Sequence, residues 1–249
     1  AIQFSHAKSY KFLHDQVGDL EHKLKKVKAL YPDNTIYLVT EAVFSMDGDI
    51  APVDDIKKLC LLYNVYLIID EAHATRTPVH SKIEEEVKDF AFARILTFGK
   101  SLGAHGACVL CSNKLKDYLI NFSRSFIYTT ALSPHSVAVI LASYQYLTNN
   151  IDRIYQLKNK IQKFRKEIVE NQLTDYFLDS YTPIQSLIIK DNLKAKQLEN
   201  ALRSDGYDIR AILSPTVPEG TERLRICVHT YNSDSTIEKL TRFLRDKLI

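Results

Sequence analysis

Four short apolar, β-branched runs in the first half of the chain constrain its fold more than any other feature. They are TIYLVT (35–40), VYLIID (65–70), RILTF (94–98) and ACVLC (107–111). Each has the length and residue content of a buried strand. Between the first two, Val53, Ile56, Leu59, Cys60 and Tyr63 recur at helical spacing. They follow Pro52, a residue suited to the start of a helix. Strand, helix, strand with nearly continuous apolar strands predicts an α/β chain on a mostly parallel sheet covered on both faces. In such sheets ligands bind at the carboxyl ends of the strands. Asp70 and Lys100 both fall at or just past a predicted strand end.

After the fourth run, Leu115, Tyr118, Leu119 and Phe122 mark an amphipathic helix. A long helical region follows from Pro134 to Leu173, interrupted at Asn149 and Asn150. The remainder predicts a small α+β unit: a strand over 184–190, a helix over 193–204 and a strand over 223–228. The last helix presents Ile237, Leu240, Phe243, Leu244 and Leu248 on one face, with Ser235 and Glu238 at capping-box spacing. A chain of 249 residues has room for two cores. The boundary is placed in the helical region, giving domains 1–150 and 151–249.

With 33 basic and 30 acidic residues, the chain offers no electrostatic argument for nucleic acid or an anionic membrane as partner. No uncharged apolar run is long enough to span a bilayer. The opening AIQFSHAKSYKFLHDQ lacks the apolar centre of a signal peptide. It also begins without Met, as expected of a processed or partial chain. The four cysteines suit a reducing cytoplasm. Cys108 and Cys111 form a C-x-x-C, but inside a strand-like run and with no second pair, so a structural role is expected. His6, His14, His22, His80, His105, His135 and His229 form no metal-like pattern, and only His105 lies in a motif loop.

Asp70, in the string DEAH, is a carboxylate at the end of a buried strand, costly unless paired. Alone it reads as a helix cap or ion pair. A helicase motif has the same letters, but the phosphate loop G-x-x-x-x-G-K-[ST] that a nucleotide-binding module would need is absent. Lys100 lies in LTFGKSLGAHGA among Thr97, Gly99, Gly103 and Gly106. A lone lysine is usually a solvated surface group. In a glycine-bearing turn past a strand it is also a candidate Schiff-base nucleophile. Together the two residues are compatible with pyridoxal 5'-phosphate (PLP), which needs an acid at its ring nitrogen, a lysine at its aldehyde carbon and donors to its phosphate.

Five motifs occur in order: TEAVFSMDGDIAPVDDI, LIIDEAHAT, LTFGKSLGAHGAC, FIYTTALSP and SPTVPEGTERLRI. With them the chain resembles, over nearly its whole length, the α-oxoamine synthase family of fold-type-I PLP enzymes. The resemblance implies an incomplete large domain with a mostly parallel sheet, plus a small C-terminal α+β domain. It implies that Lys100 bonds the cofactor and later moves a substrate α-proton, and that Asp70 pairs with the pyridinium nitrogen. His73 and Ser45 would hydrogen-bond the ring-hydroxyl side and Thr97 the phosphate. Thr129 and Thr130 would reach the phosphate of a neighbouring subunit in a homodimer. Arg225 would hold the amino-acid carboxylate, a task suited to a planar bidentate donor. Glu41 lies near the site without an assigned role. By themselves, Ser45 also reads as a turn residue and His73 as a buried histidine. Arg223 and Arg225 share one strand face, so one of them also reads as a salt-bridge partner.

The implied activity is decarboxylative condensation of L-alanine with a pimeloyl thioester, pimeloyl-CoA or a pimeloyl carrier protein, in biotin biosynthesis. The alternatives are glycine-using members, such as glycine C-acetyltransferase and 5-aminolevulinate synthase, or a non-catalytic scaffold of the same fold. Two departures from the family stand out. Nothing here matches its upstream glycine-rich turn and ring-stacking aromatic, so the chain reads as part of the family fold. After Thr75 the sequence RTPVHSKIEEE carries no glycine where the family is glycine-rich.

Overall fold

The structure is a computed structural model that describes residues 5–249. Helix α1 (Val17–Leu30) precedes strand β1 (Tyr37–Glu41), helix α2 (Val53–Tyr63) and strand β2 (Tyr66–Asp70). Helix α3 (His80–Val87) leads to β3 (Ala93–Thr97) and β4 (Ala107–Cys111). The four strands form one sheet in the order β1-β2-β3-β4. The first three are parallel, and β4 runs antiparallel to β3. All four apolar runs are therefore strands. Helix α2 ends on Asn64, which takes the left-handed conformation (φ 50°) while its N–H caps the helix, a role asparagine tolerates. Among the described residues no helix is long and apolar enough to cross a membrane.

The sheet differs from expectation in one respect. Leu38, Leu67 and Ile69 are buried against Leu20 and Leu24 of α1, Ile56, Leu59 and Cys60 of α2, and Ile83 and Val87 of α3. The opposite face is left open by the described residues. Tyr37, Val39 and Tyr66 are exposed there, and Glu41, Ile68, Asp70, Ile95 and Thr97 are half-buried. The open face is apolar at Tyr37, Val39, Tyr66, Ile68 and Ile95, and the described elements cover the other face.

Beyond β4 run helices α4 (Asn113–Phe122), α5 (Arg124–Ile127) and α6 (Pro134–Asn149), none with a buried residue. The expected break at Asn149 and Asn150 separates α6 from α7 (Asp152–Glu170). There follow β5 (Ile184–Ile188), α8 (Asn192–Ser204), β6 (Arg210–Ile212), β7 (Arg223–Cys227) and α9 (Asp234–Leu248). Strands β5, β7 and β6 form an antiparallel sheet with β7 in the middle. Its core joins Ile161, Phe164 and Ile168 of α7 with Leu187, Leu198, Leu224, Leu240 and Leu244. Two local expectations change. Three-residue β6 is too short to show a period in sequence. The cap of α9 is Ser233, whose hydroxyl accepts from Thr236 N–H, not Ser235. Glu238 instead accepts from Lys163 Nζ at 2.6 Å, tying α9 to α7.

The turn after β1 is clasped by the second sheet. Ser186 Oγ donates to the Met46 carbonyl at 2.6 Å, and Arg225 Nη1 donates to the Ser45 carbonyl at 3.0 Å. Ser180 and Thr182 bring their hydroxyls to 2.7 and 2.8 Å of the Gly48 carbonyl. Arg223 pairs with the Asp47 carboxylate. Gly48 has φ 81°, and a Cβ there would run into the Ile184 carbonyl, so backbone touches backbone at this point.

Candidate active site

The open sheet face gathers the polar residues. Glu41 pairs in register with Asp70, and Asp70 with Ile95. Thr97 lies two residues beyond Ile95 and so shares that face at the strand ends. Past β2 the chain turns at once: Asp70 Oδ1 accepts from Ala72 N–H at 2.9 Å, and Thr75 N–H and Oγ1 donate to the Glu71 carbonyl at 2.8 and 2.7 Å. This turn brings His73 back beside Asp70 and Lys100. Burial lowers the His73 pKa to about 4; the charges of Lys100 and Arg225 add to this and that of Asp70 opposes it. The ring is therefore neutral at neutral pH.

Lys100 sits on a closed loop past β3. Phe98 N–H donates to the Gly106 carbonyl and Ala104 N–H to the Phe98 carbonyl, both at 2.9 Å. Gly103 (φ 60°) and Gly106 (φ 131°) supply left-handed backbone. Side chains hold the loop from both sides: Ser101 Oγ donates to the Thr75 carbonyl at 2.5 Å, and Ser143 Oγ of α6 to the Leu102 carbonyl at 3.1 Å. Lysine and aspartate are thus carried on two turns latched to each other. The Lys100 side chain has much of its surface exposed. The surrounding protein still partly desolvates its ammonium and lowers its pKa; Asp70 and Glu41 oppose this, and Arg225 adds to it. That makes a lysine easier to deprotonate than a free surface one.

The two arginines have different partners. Arg223 is buried and committed to Asp47, whereas Arg225 is half-buried, bonds the Ser45 carbonyl and acts electrostatically on both His73 and Lys100. Asp70, His73, Lys100, Arg225 and Ser45 therefore come together from four separate stretches of chain. Thr129 and Thr130 lie exposed between α5 and α6, and among the described residues neither side chain bonds that group. His105 is exposed between Gly103 and Gly106.

Sequence reasoning missed the support behind the site. Glu71, adjacent to Asp70, is fully buried and forms a bidentate pair with Arg94 of β3 at 2.5 and 3.0 Å, with His80 Nε2 3.5 Å away. Burial alone would raise its carboxyl, but the hydrogen bonds and charges of Arg94 and His80 outweigh that and hold it below the usual range. The pair ties the end of β2 to β3. The signal available was a second acid after Asp70 and an arginine inside an apolar run. Arg76 takes φ 56°, so the glycine-free stretch after Thr75 has a left-handed turn without glycine; its guanidinium stacks on Tyr144 at 4.6 Å.

The donor set fits PLP on one observation above all. Thr97 Oγ1 is buried with no hydrogen-bond partner among the described residues. A buried hydroxyl without a partner costs free energy, and a phosphate oxygen would satisfy it. Asp70 offers a carboxylate and Lys100 an amine on the same side of the sheet. Two hollows lie away from this cluster. A cavity of about 380 Å³ is lined by Pro52, Val53, Ile83, Ile161 and Tyr181, and one of about 630 Å³ by Tyr176, Lys194 and Lys247.

Two other expectations are settled by the geometry. Cys108 and Cys111 are free and lie three residues apart on β4, hence on opposite faces, which removes a shared ligand role. The histidines do enter one metal-like group: His14 Nε2 lies 2.7 Å from Asp49 and 3.7 Å from Asp47. Sequence distance hid it, and one of its two carboxylates, Asp47, is also paired with Arg223.

The aminotransferase class I and II family matches residues 1–244. An 8-amino-7-oxononanoate synthase of Lysinibacillus sphaericus is 37% identical over 246 residues, covering 96% of this chain and 60% of that protein. Among solved structures, serine palmitoyltransferase of Sphingomonas wittichii superposes with a TM-score of 0.87 at 23% identity, over 99% of this chain and 62% of that one. An 8-amino-7-oxononanoate synthase of Francisella tularensis gives 0.77 at 25% identity, over 100% and 72%. The chain spans about 60% of the length of the curated relatives it matches.

Proposed function

The chain belongs to the aminotransferase class I and II family, with the fold of the type-I PLP enzymes, and we propose that it serves as an 8-amino-7-oxononanoate synthase. The reaction joins L-alanine to the acyl carbon of a pimeloyl thioester, on CoA or a carrier protein, and releases carbon dioxide and the thiol. The observation that carries the reading is the convergence of Lys100, Asp70 and the partnerless buried Thr97 hydroxyl on one face of the sheet. The alanine and pimeloyl choices rest on the named relatives.

When bound, PLP supplies an electron sink for the pair released at the amino-acid α-carbon. The residues of the chain do the rest. Asp70 holds a proton on the ring nitrogen. His73, kept neutral, and Ser45 hydrogen-bond the ring-hydroxyl side, and Thr97 donates to the phosphate. Arg225 holds the amino-acid carboxylate, and the Lys100 amine takes the α-proton. In a homodimer, Thr129 and Thr130 of one subunit serve the phosphate of the other, consistent with their exposure here.

The test is the visible spectrum of the purified chain with added PLP, beside Lys100→Ala. The expected result is a Schiff-base band that borohydride bleaches in the native chain and that the variant lacks. Turnover with L-alanine should then exceed that with glycine. A band equally strong in the variant would remove Lys100 from its role, and preference for glycine would overturn the alanine assignment.

A further inference from the structure

Glu41 ends β1 on the same face as Asp70, yet neither the fold nor the roles above use it. Its Oε2 accepts from the Ser45 N–H at 3.0 Å. The carbonyl of that same Ser45 accepts from Arg225 Nη1 at 3.0 Å. A half-buried carboxylate therefore connects to the Arg225 guanidinium through one peptide residue. Other amides of the turn are held by backbone carbonyls: Ala42 N–H donates to the Asp70 carbonyl and Gly48 N–H to the Phe44 carbonyl, both at 2.8 Å. Among these bonds, only the one from Glu41 fixes the Ser45 amide.

We propose that Glu41 is a positioning residue for the amino-acid carboxylate: by holding Ser45 it aims the Ser45 carbonyl, which in turn orients the Arg225 guanidinium. A guanidinium binds a carboxylate well only when its fork faces it squarely, so a small rotation at Ser45 costs binding. The proposal rests on the carboxylate role given to Arg225 above. Glu41 also carries a charge that acts on Lys100, and the test must separate the two effects.

The variants are Glu41→Gln, whose amide oxygen still accepts from Ser45, and Glu41→Ala, which leaves that N–H free. On PLP-loaded protein, spectral titrations give the affinity for L-alanine and for ethylamine, the same amine without the carboxylate. Hydrogen exchange over residues 42–48 is measured on the chain without amino acid. In Glu41→Ala, alanine binding should weaken by about tenfold, the scale of one charge-assisted hydrogen bond. Ethylamine binding should be unchanged and exchange at 42–48 faster. Glu41→Gln should restore alanine binding and slow exchange. Equal weakening of alanine and ethylamine would show a general structural effect, and equal weakening in Gln and Ala an effect of charge; either overturns the proposal. So does unchanged alanine binding in Glu41→Ala. Failure of the native chain to form the Lys100 band is a separate outcome, against the enzyme reading itself.

Discussion

His73 is the residue at which the site's chemistry and its stability are linked. Its pKa is about 4 in the folded chain, against about 6.5 for an unperturbed histidine. The unfolded chain therefore binds a proton first as pH falls. The stability owed to a neutral His73 is complete above pH 6.5 and is lost as pH drops toward 4. Urea unfolding of the native chain should show a steeper loss of stability over that window than His73→Asn, and parallel curves would refute the assignment. At this scale the sequence was readable where one residue suffices. Asp70 and Lys100 sit in motifs at or just past strand ends, and Arg225 sits in a motif inside a strand. Glu71 and Glu41 were not, because their meaning lies in partners: Arg94 on the neighbouring strand and the Ser45 amide. Arg223 and Arg225 share one strand face, and which of them is the salt-bridge partner was decided by Asp47, far along the chain, which pairs with Arg223.

At the scale of elements, the turn after β1 bears the contact between the two sheets. Gly48 belongs there for two reasons, its positive φ and the nearby Ile184 carbonyl. Gly220 has nearly the same φ, 79°, with open space around it. Alanine at Gly220 should cost about 1–2 kcal/mol, the conformational term alone. Alanine at Gly48 should cost clearly more, since the turn must also move away from β5. Comparing the two by chemical denaturation checks this, and equal losses would mean that the clasp yields easily. The strands and most helices were legible from apolar period, since burial on a sheet or helix face imposes it. The clasp was not, because it reads the carbonyls of Ser45, Met46 and Gly48, and every residue has a carbonyl. The cap of α9 was misplaced by two residues for a similar reason: several serines and threonines precede the helix, and only geometry selects Ser233.

For the whole molecule, the unexpected property is the apolar surface left uncovered. Besides the open sheet face, Phe122, Phe126 and Leu141 on α4, α5 and α6 are each more than half exposed. Surfaces of this kind mark association sites. Sedimentation should show concentration-dependent self-association, and Phe126→Asp should shift it toward monomer without lowering unfolding stability, since the side chain is not in a core. A chain that is monomeric at every concentration would remove the homodimer from the proposal. The sequence predicted a sheet covered twice, because apolar content tells how much surface must be buried and not which polypeptide buries it. The strand orders have a consequence in time. In the first sheet each strand pairs with the one made just before it, so that layer, with Asp70 and the Lys100 loop, can assemble as the chain emerges from the ribosome. In the second, the strand made last lies in the middle, so β5 and β6 wait for it. That strand carries Arg225. On the proposed roles, the Asp70 and Lys100 side of the site is therefore made before the side that carries Arg225.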